Sequence, residues 1–336
     1  ESAEEALSLI RVIYEELPIA GGLEGALREG APLIHEKSKG NICSHEHIEK
    51  GDVGQGFAES DRVFEDTFTF PMVYHYAMEP HAVIAEVKEE GITVWSSAQH
   101  PFQVRGDIAR IFRSPVGKVR LHIPYLGGGF GSKSYTKFEP LVVALARKAG
   151  RPVRICNTVA ESMVTVRRHG ARIRLKTGVK SDGTLVAREA EIHLDTGGYA
   201  DNGPAVAIRA ATRVLGPYRY FHIRSDAYSV YTNSGGAGSF RAIGAPQSIF
   251  ASESQLDIIA ASLSMDPSEL RLKNLLNKGE EVRPKLRAID ANIASGLKKL
   301  LSASQWKKRS RKKDAAIGLG LGATNAGGIP ISVALA

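Results

Sequence analysis

At 336 residues, 43% of them hydrophobic and 24% charged, the chain carries enough apolar material for one large or two medium cores. Its apolar stretches are short and broken by charge, which excludes a membrane-spanning helix, and two cysteines, Cys43 and Cys156, exclude a disulfide framework and point to a reducing, cytoplasmic setting. A net charge of +8 suits an anionic ligand or nucleic acid equally well.

The opening Glu1-Ser2-Ala3-Glu4-Glu5 is acidic and helical in character, unlike a signal peptide, and the absence of a leading Met suggests a clipped chain or an excised domain. Ala6, Leu9, Ile10 and Ile13 fall at helical spacing, so residues 1–17 read as an amphipathic helix followed by a short strand that closes at Leu17-Pro18. Residues 20–60 are Gly-rich and weakly periodic and read as an extended linker. Within them, Cys43, His45 and His47 alternate. In an extended chain they would face one way and could converge on a metal. No paired second half follows, and a polar loop is the plainer reading.

From Val63 the pattern turns β-rich. His81–Lys88 and Ile92–Ser97 flank Glu89-Glu90-Gly91 as a hairpin. Val104–Phe112 suits a helix, Val119–Leu126 a strand, and Phe138–Ala149 a helix stopped by Gly150. Strands over 170–180 and 184–195 share the turn Ser181-Asp182-Gly183, and another strand lies near 226–232. A long helix follows, with Phe250, Leu256, Ile259, Ala260 and Leu263 as its apolar stripe. Asp266-Pro267 caps one more helix. The chain is an α+β mixture built around mixed sheets.

The run Lys307-Lys308-Arg309-Ser310-Arg311-Lys312-Lys313 brings six positive charges together. A solvated linker or exposed helix end explains it, and no nucleic-acid-binding motif accompanies it. Ile317-Gly318-Leu319-Gly320-Leu321-Gly322 then opens a new apolar segment, as a folding unit completed elsewhere would.

The most informative stretch is Tyr125-Leu126-Gly127-Gly128-Gly129-Phe130-Gly131-Ser132-Lys133-Ser134. A phosphate-binding Walker loop needs Gly directly before the Lys, and Ser132 stands there. A dinucleotide fingerprint counted from Gly127 needs Gly at its sixth place, and Ser132 stands there too. A plain turn is one reading. The other is that three consecutive residues without Cβ let backbone N–H groups approach a flat or anionic ligand, with Phe130 covering it or plugging the core beneath.

Several motifs in one order carry a resemblance. Leu126 to Lys133 resembles the glycine-phenylalanine loop of the molybdenum hydroxylases of the xanthine dehydrogenase and aldehyde oxidase family. Met78-Glu79-Pro80-His81 and Ser96-Ser97-Ala98-Gln99-His100-Pro101-Phe102 resemble that family's upstream signatures. Phe240-Arg241-Ala242-Ile243-Gly244-Ala245-Pro246-Gln247 resembles its Phe-Arg-Gly-x-Gly-x-Pro-Gln segment, and Glu253–Ala260 and Asp266–Asn274 resemble the helices after it. Tyr14-Glu15-Glu16-Leu17-Pro18 is similar to the end of its hammerhead domain.

The resemblance implies a molybdenum-cofactor-binding subunit. It implies the C-terminal part of a hammerhead-like α/β domain with a linker (1–60), a first molybdopterin-binding α+β domain (61–280), a basic helical linker (281–315), and the truncated start of a second such domain (316–336). In that family a molybdenum pyranopterin, in bacteria commonly the cytosine dinucleotide form, carries the redox chemistry while protein groups orient and polarise. It implies that Gln99, Gly128, Gly129, Phe130, Gly131 and Arg241 bind the cofactor. Gln99 would donate to a molybdenum oxo ligand, Phe130 would stand beside the metal, and Arg241 would reach the metal region through its backbone. Arg209 falls where purine-oxidising members steady charge on the substrate. Ser134 and Ile243 stand at substrate positions where those members carry glutamate and phenylalanine, which argues against xanthine. The family's catalytic glutamate lies beyond this chain, so the base would come from a missing half or a second molybdenum-domain chain. No cysteine pattern here suits an iron–sulfur cluster, so a 2Fe-2S cluster and FAD would sit on partner subunits. The expected activity is oxidation of a heteroaromatic or aldehyde substrate. Two readings compete with it: a non-catalytic binding or assembly protein using the basic run, and a phosphate-loop enzyme dependent on Lys133.

Overall fold

The computed structural model describes residues 2–308 and 317–323. In chain order it begins with α1 (Ser2–Ser8), α2 (Leu23–Ala26), β1 (Ile42–Lys50), α3 (Val53–Ala58), β2 (Arg62–Phe70), β3 (Ala82–Lys88), β4 (Gly91–Ser96), α4 (Pro101–Ile111), β5 (Val119–His122), α5 (Glu139–Ala149) and β6 (Val153–Cys156). It continues with α6 (Val159–Thr165), β7 (Arg167–Arg168), β8 (Gly170–Val179), β9 (Leu185–Gly197), α7 (Gly203–Arg213), β10 (His222–Tyr231), β11 (Ala237–Gly238), α8 (Ala245–Ser262), α9 (Pro267–Asn274) and α10 (Ile293–Ala303). Among the described residues no helix is long and apolar enough to cross a membrane.

Two mixed sheets organise the molecule, as the α+β reading expects. The larger has the order β1-β10-β9-β8-β2, with β9 and β10 parallel and the other pairs antiparallel. Parallel neighbours need a crossover, and α7 supplies it. Ile173 and Leu175 of β8, Ile192 and Leu194 of β9, and Ile223 and Ala227 of β10 bury one face against α7 and α8. The smaller sheet, β5-β4-β3-β6, packs Val83, Ala85 and Val94 against Val104 and Ile108 of α4 and Val142, Val143 and Ala146 of α5. The hairpin over β3 and β4, the long β8–β9 pair and the Gly150 stop in the left-handed region (φ 64°) match the sequence pattern.

Four segments depart from it. The stretch 20–60, expected to be a linker, supplies β1, which pairs antiparallel with β10, and α3, which lies on β9. The chain after Ser8 enters neither the longer helix nor the strand expected up to residue 17, and Ile10, Ile13, Tyr14 and Leu17 stand exposed. The expected strand 119–126 ends at His122, because the glycines that follow open a long loop instead. On α8, Leu256, Ile259 and Ala260 are buried but Phe250 points outward over Phe70; small and polar residues such as Ala251, Ser252 and Gln255 make the buried face. Of the basic run, Arg309 to Lys313 lie outside the described residues. The part of the expected linker that is described is packed: Leu297 of α10 joins the main core, and the Trp306 indole donates to Asp266 at 2.9 Å.

Candidate functional site

Loops from both sheets meet at one place. The smaller sheet contributes the turn after β4, carrying Gln99, and the glycine loop between β5 and α5. The third strand pair, β11 with β7, leads into the turn between β11 and α8 that carries Phe240 to Gly244, with α8 packed on the larger sheet. Gln99, Gly131 and Arg241 are far apart along the chain, and direct hydrogen bonds between their loops close that distance.

Gln99 is zipped into the glycine loop. Its backbone N–H donates to Lys133 O at 2.7 Å, and its side-chain Oε1 accepts from the N–H groups of Gly131 at 3.0 Å and Lys133 at 3.3 Å. An amide whose oxygen is held by two donors must turn its Nε2 the other way, so Gln99 presents N–H toward the open side of the loop. Gly129 makes room for this: a Cβ there would stand 2.5 Å from Gln99 Oε1 and 2.7 Å from its Cδ. Gly131 sits at φ 110°, and a Cβ there would run into the Ser239 carbonyl, with its carbon at 2.7 Å.

Phe130 adopts φ 52° and Ala242 φ 65°, left-handed conformations that cost a residue bearing a Cβ on the order of 1 kcal/mol each. Both are exposed, Phe130 by 46%. The Arg241 N–H donates to Phe130 O at 2.9 Å, so each strained loop braces the other. Arg241 therefore has its carbonyl and its exposed side chain left to offer, since its N–H is engaged. Gly244, at φ 73°, lies directly on α7, where a Cβ would meet Val206 O at 2.8 Å and Ala210 N at 3.0 Å. Arg209, one residue before Ala210 on α7, is exposed. Ile243 is half-buried against the main core, while Ser134 is buried behind the glycine loop with its N–H on Gly131 O.

Beyond the phosphate reading of Lys133 and the Met78–His81 signature, sequence reasoning gave no structural role to the groups beneath the loop. Lys133, its side chain 1% exposed, donates through Nζ to Glu79 Oε2 and to Glu79 O, each at 2.7 Å. The same Glu79 oxygen accepts from Gly127 N–H at 2.9 Å. Lys133 is thus committed to fastening the Met-Glu-Pro-His segment under the loop, which removes the cation a phosphate-loop enzyme would need. His75 and His81 anchor the loops through Nε2, to Ser239 O at 2.6 Å and Ser132 O at 3.3 Å. Burial holds both imidazoles below their ordinary pKa, so they donate as neutral rings. His75 also packs on Phe240, whose other neighbour is the Arg168 guanidinium. The Asn202 amide donates to the Ser239 hydroxyl, and Lys137 pairs with Asp201 across the two sheets. The paired carboxylate and the buried carbonyls needed to predict these links come from distant segments.

The positions without Cβ at 127–129 and 131, the half-exposed Phe130 ring, the strained turn at Arg241–Ala242 and the Gln99 amide come together where these loops join. This fits one wall of a site for a flat, oxygen-bearing cofactor such as a molybdenum pyranopterin.

Comparison with known proteins agrees. The family model described as molybdopterin cofactor-binding domain matches residues 34–275. The chain is 42% identical over 277 residues to a probable xanthine dehydrogenase subunit of Bacillus subtilis, covering 82% of this chain and 37% of that protein. It is 37% identical over 281 residues to the nicotinate dehydrogenase large molybdopterin subunit of Eubacterium barkeri, covering 83% and 66%. The solved aldehyde oxidoreductase from Desulfovibrio gigas superposes with a TM-score of 0.84 at 29% identity over 92% of this chain and 35% of that one. The chain thus spans between about a third and two thirds of these relatives. Motif order, loop geometry and these likenesses together show that the chain belongs to the molybdenum-cofactor-binding subunits of the xanthine dehydrogenase family.

Proposed function

We propose that this chain forms one wall of a molybdenum hydroxylase centre that converts a C–H bond of a heteroaromatic or aldehyde substrate to C–OH. Water supplies the oxygen, and the products are the hydroxylated compound, two protons and two electrons. The bound molybdenum pyranopterin would supply the redox chemistry. In this reading Gln99 Nε2 would donate to the cofactor, Gly128, Gly129 and Gly131 would let it lie against backbone, and Phe130 would limit the space beside it. Arg209 reaches toward substrate as charge develops, while Ile243 and Ser134 set the pocket's shape from behind. The base and the remaining cofactor grip come from protein outside this chain's residues. Electrons leave through a 2Fe-2S subunit and an FAD subunit, and the cofactor is the cytosine dinucleotide form. The observation that carries the reading is the doubly held Gln99 amide, whose one unheld end faces the open side.

The test uses the natural assembly purified with its partners. Molybdenum should be present by elemental analysis, and turnover in oxygen-18 water should place the label in product. Gln99→Glu keeps both accepted N–H bonds and removes the donor. It should leave stability and metal content near wild type while lowering kcat by about 10²–10³. An assembly with full metal and unchanged kcat in Gln99→Glu refutes the assignment. Label derived from dioxygen refutes the hydroxylation.

A further inference from the structure

The outer face of the larger sheet carries a cluster the molybdenum chemistry does not use. On β1, His45 and His47 alternate and so point the same way. On β10, Asp226 stands directly opposite His47. Its neighbour Ser225 donates to Ala211 O of α7 on the covered side, which turns Asp226 to the solvent side. His45 Nε2 and His47 Nδ1 both lie 2.8 Å from Asp226 Oδ1, and the ligand atoms all fall within 4.8 Å of one another. Cys43, which alternation alone would have included, is displaced by a bulge between Ile42 and Ser44; Asp226, 181 residues from His45, takes its place.

We propose that His45, His47 and Asp226 form a surface binding site for a zinc-class divalent cation. Two imidazole nitrogens and a carboxylate oxygen are the donor set that borderline divalent ions prefer. Zinc-to-ligand distances near 2.0–2.2 Å put tetrahedral ligand atoms roughly 3.3 Å apart, so each nitrogen need recede from Oδ1 by only about half an ångström to admit the ion. The rings are already held. His45 stacks on Tyr228 at 4.3 Å and 6°, and Tyr228 is backed on its other neighbour strand by His193 at 5.1 Å. His47 turns its Nε2 toward Glu49, 3.7 Å away, the carboxylate–histidine–metal order that fixes the tautomer of a ligating imidazole. The competing cation is Arg224. It is 3.9 Å from the other Asp226 oxygen and is held at 2.7 Å by Glu189, which leaves Oδ1 to the ion. Side-chain exposures of 42%, 45% and 20% for the two histidines and the aspartate give an ion direct access and leave a water-filled position.

The probe is Zn²⁺ alone, titrated into the full chain against a chromophoric chelator. One ion per chain should bind. His47→Ala and Asp226→Asn should each weaken it about tenfold or more, and His122→Ala, on the smaller sheet, should leave it unchanged. Cu²⁺ should bind more tightly than Zn²⁺, and Mg²⁺ should not compete. Co²⁺ added to the unaltered chain should give the visible absorption of low-coordinate cobalt, a readout that needs no variant. Zn²⁺ binding indifferent to both substitutions, or no Co²⁺ absorption with the unaltered chain, overturns the proposal.

Discussion

Gly129→Ala isolates the contact on which the site's geometry depends. The new methyl carbon would stand 2.5 Å from Gln99 Oε1, 2.7 Å from Cδ and 3.1 Å from Cγ, so the side chain must swing away. Gly129 is not in a left-handed conformation, so no backbone strain is added. The cost falls instead on the two hydrogen bonds from Gly131 and Lys133 N–H that Oε1 can no longer accept. At about 1 kcal/mol for each, Gly129→Ala should destabilise by about 2 kcal/mol. Gln99→Ala removes the same two bonds and should cost a similar amount. Once Gln99 is truncated, however, the atoms that the alanine would strike are gone. Adding Gly129→Ala to Gln99→Ala should then change little. A double-mutant cycle by equilibrium urea unfolding should therefore show a coupling of about 2 kcal/mol. Costs that add within about 0.5 kcal/mol would mean that Gln99 is not seated over Gly129, and the outward amide would lose its support.

Further outcomes follow from buried groups. Burial depresses the His169 pKa to about 4, so the folded chain prefers the neutral ring. Its contribution is complete above the unfolded value of 6.5 and is lost as pH falls toward 4, about 3 kcal/mol in all. Replacing His169 by Gln should flatten the wild-type decline in urea stability between those limits, and an unchanged slope would refute this. Arg188 is fully buried, and among the described residues no carboxylate is a hydrogen-bond partner. Its guanidinium donates to Val214 O, Ser252 Oγ, Gln255 Oε1 and Thr177 Oγ1, and it lies over the Tyr220 ring. Arg188→Lys keeps the charge but loses the fork and should cost about 2 kcal/mol or more in thermal or urea unfolding, whereas a charge-only role would leave it silent. Glu79→Ala removes the counter-charge of the buried Lys133 ammonium and leaves it the backbone carbonyl of residue 79, so it should cost on the order of 2 kcal/mol, moderated because Glu79 is one-third exposed. Lys133→Met, which leaves no buried charge, should cost less by the same assay.

Local signals announced most of the frame. The β8–β9 hairpin was legible because Asp182-Gly183 suits a tight turn and alternation runs long on both sides. α5 was legible because Gly150 ends it, and α9 because Asp266 caps it. The motif loops were legible as a resemblance, and hydrogen bonds and a close approach join Gln99 to Gly129 and Gly131, and Phe130 to Arg241. What stayed hidden depends on partners far along the chain. β1 is weakly patterned because its outer face carries His45, His47 and Glu49, and only pairing with β10 makes it a strand. Lys133 invited a phosphate reading because its partner, Glu79, lies 54 residues away. Phe250 looked like core by spacing, yet the buried face of α8 is made of small and polar residues such as Ala251, Ser252 and Gln255 together with Leu256 and Ile259.

The joint between Phe130 and Arg241 is made by main-chain atoms alone. That bond uses neither the Phe130 ring, which leans back over Gly128, nor the exposed Arg241 side chain. Replacing them can reshape what the cleft accepts at little risk to folding. The glycines that carry the frame have no such latitude, and they set the boundary of what this surface can become by substitution.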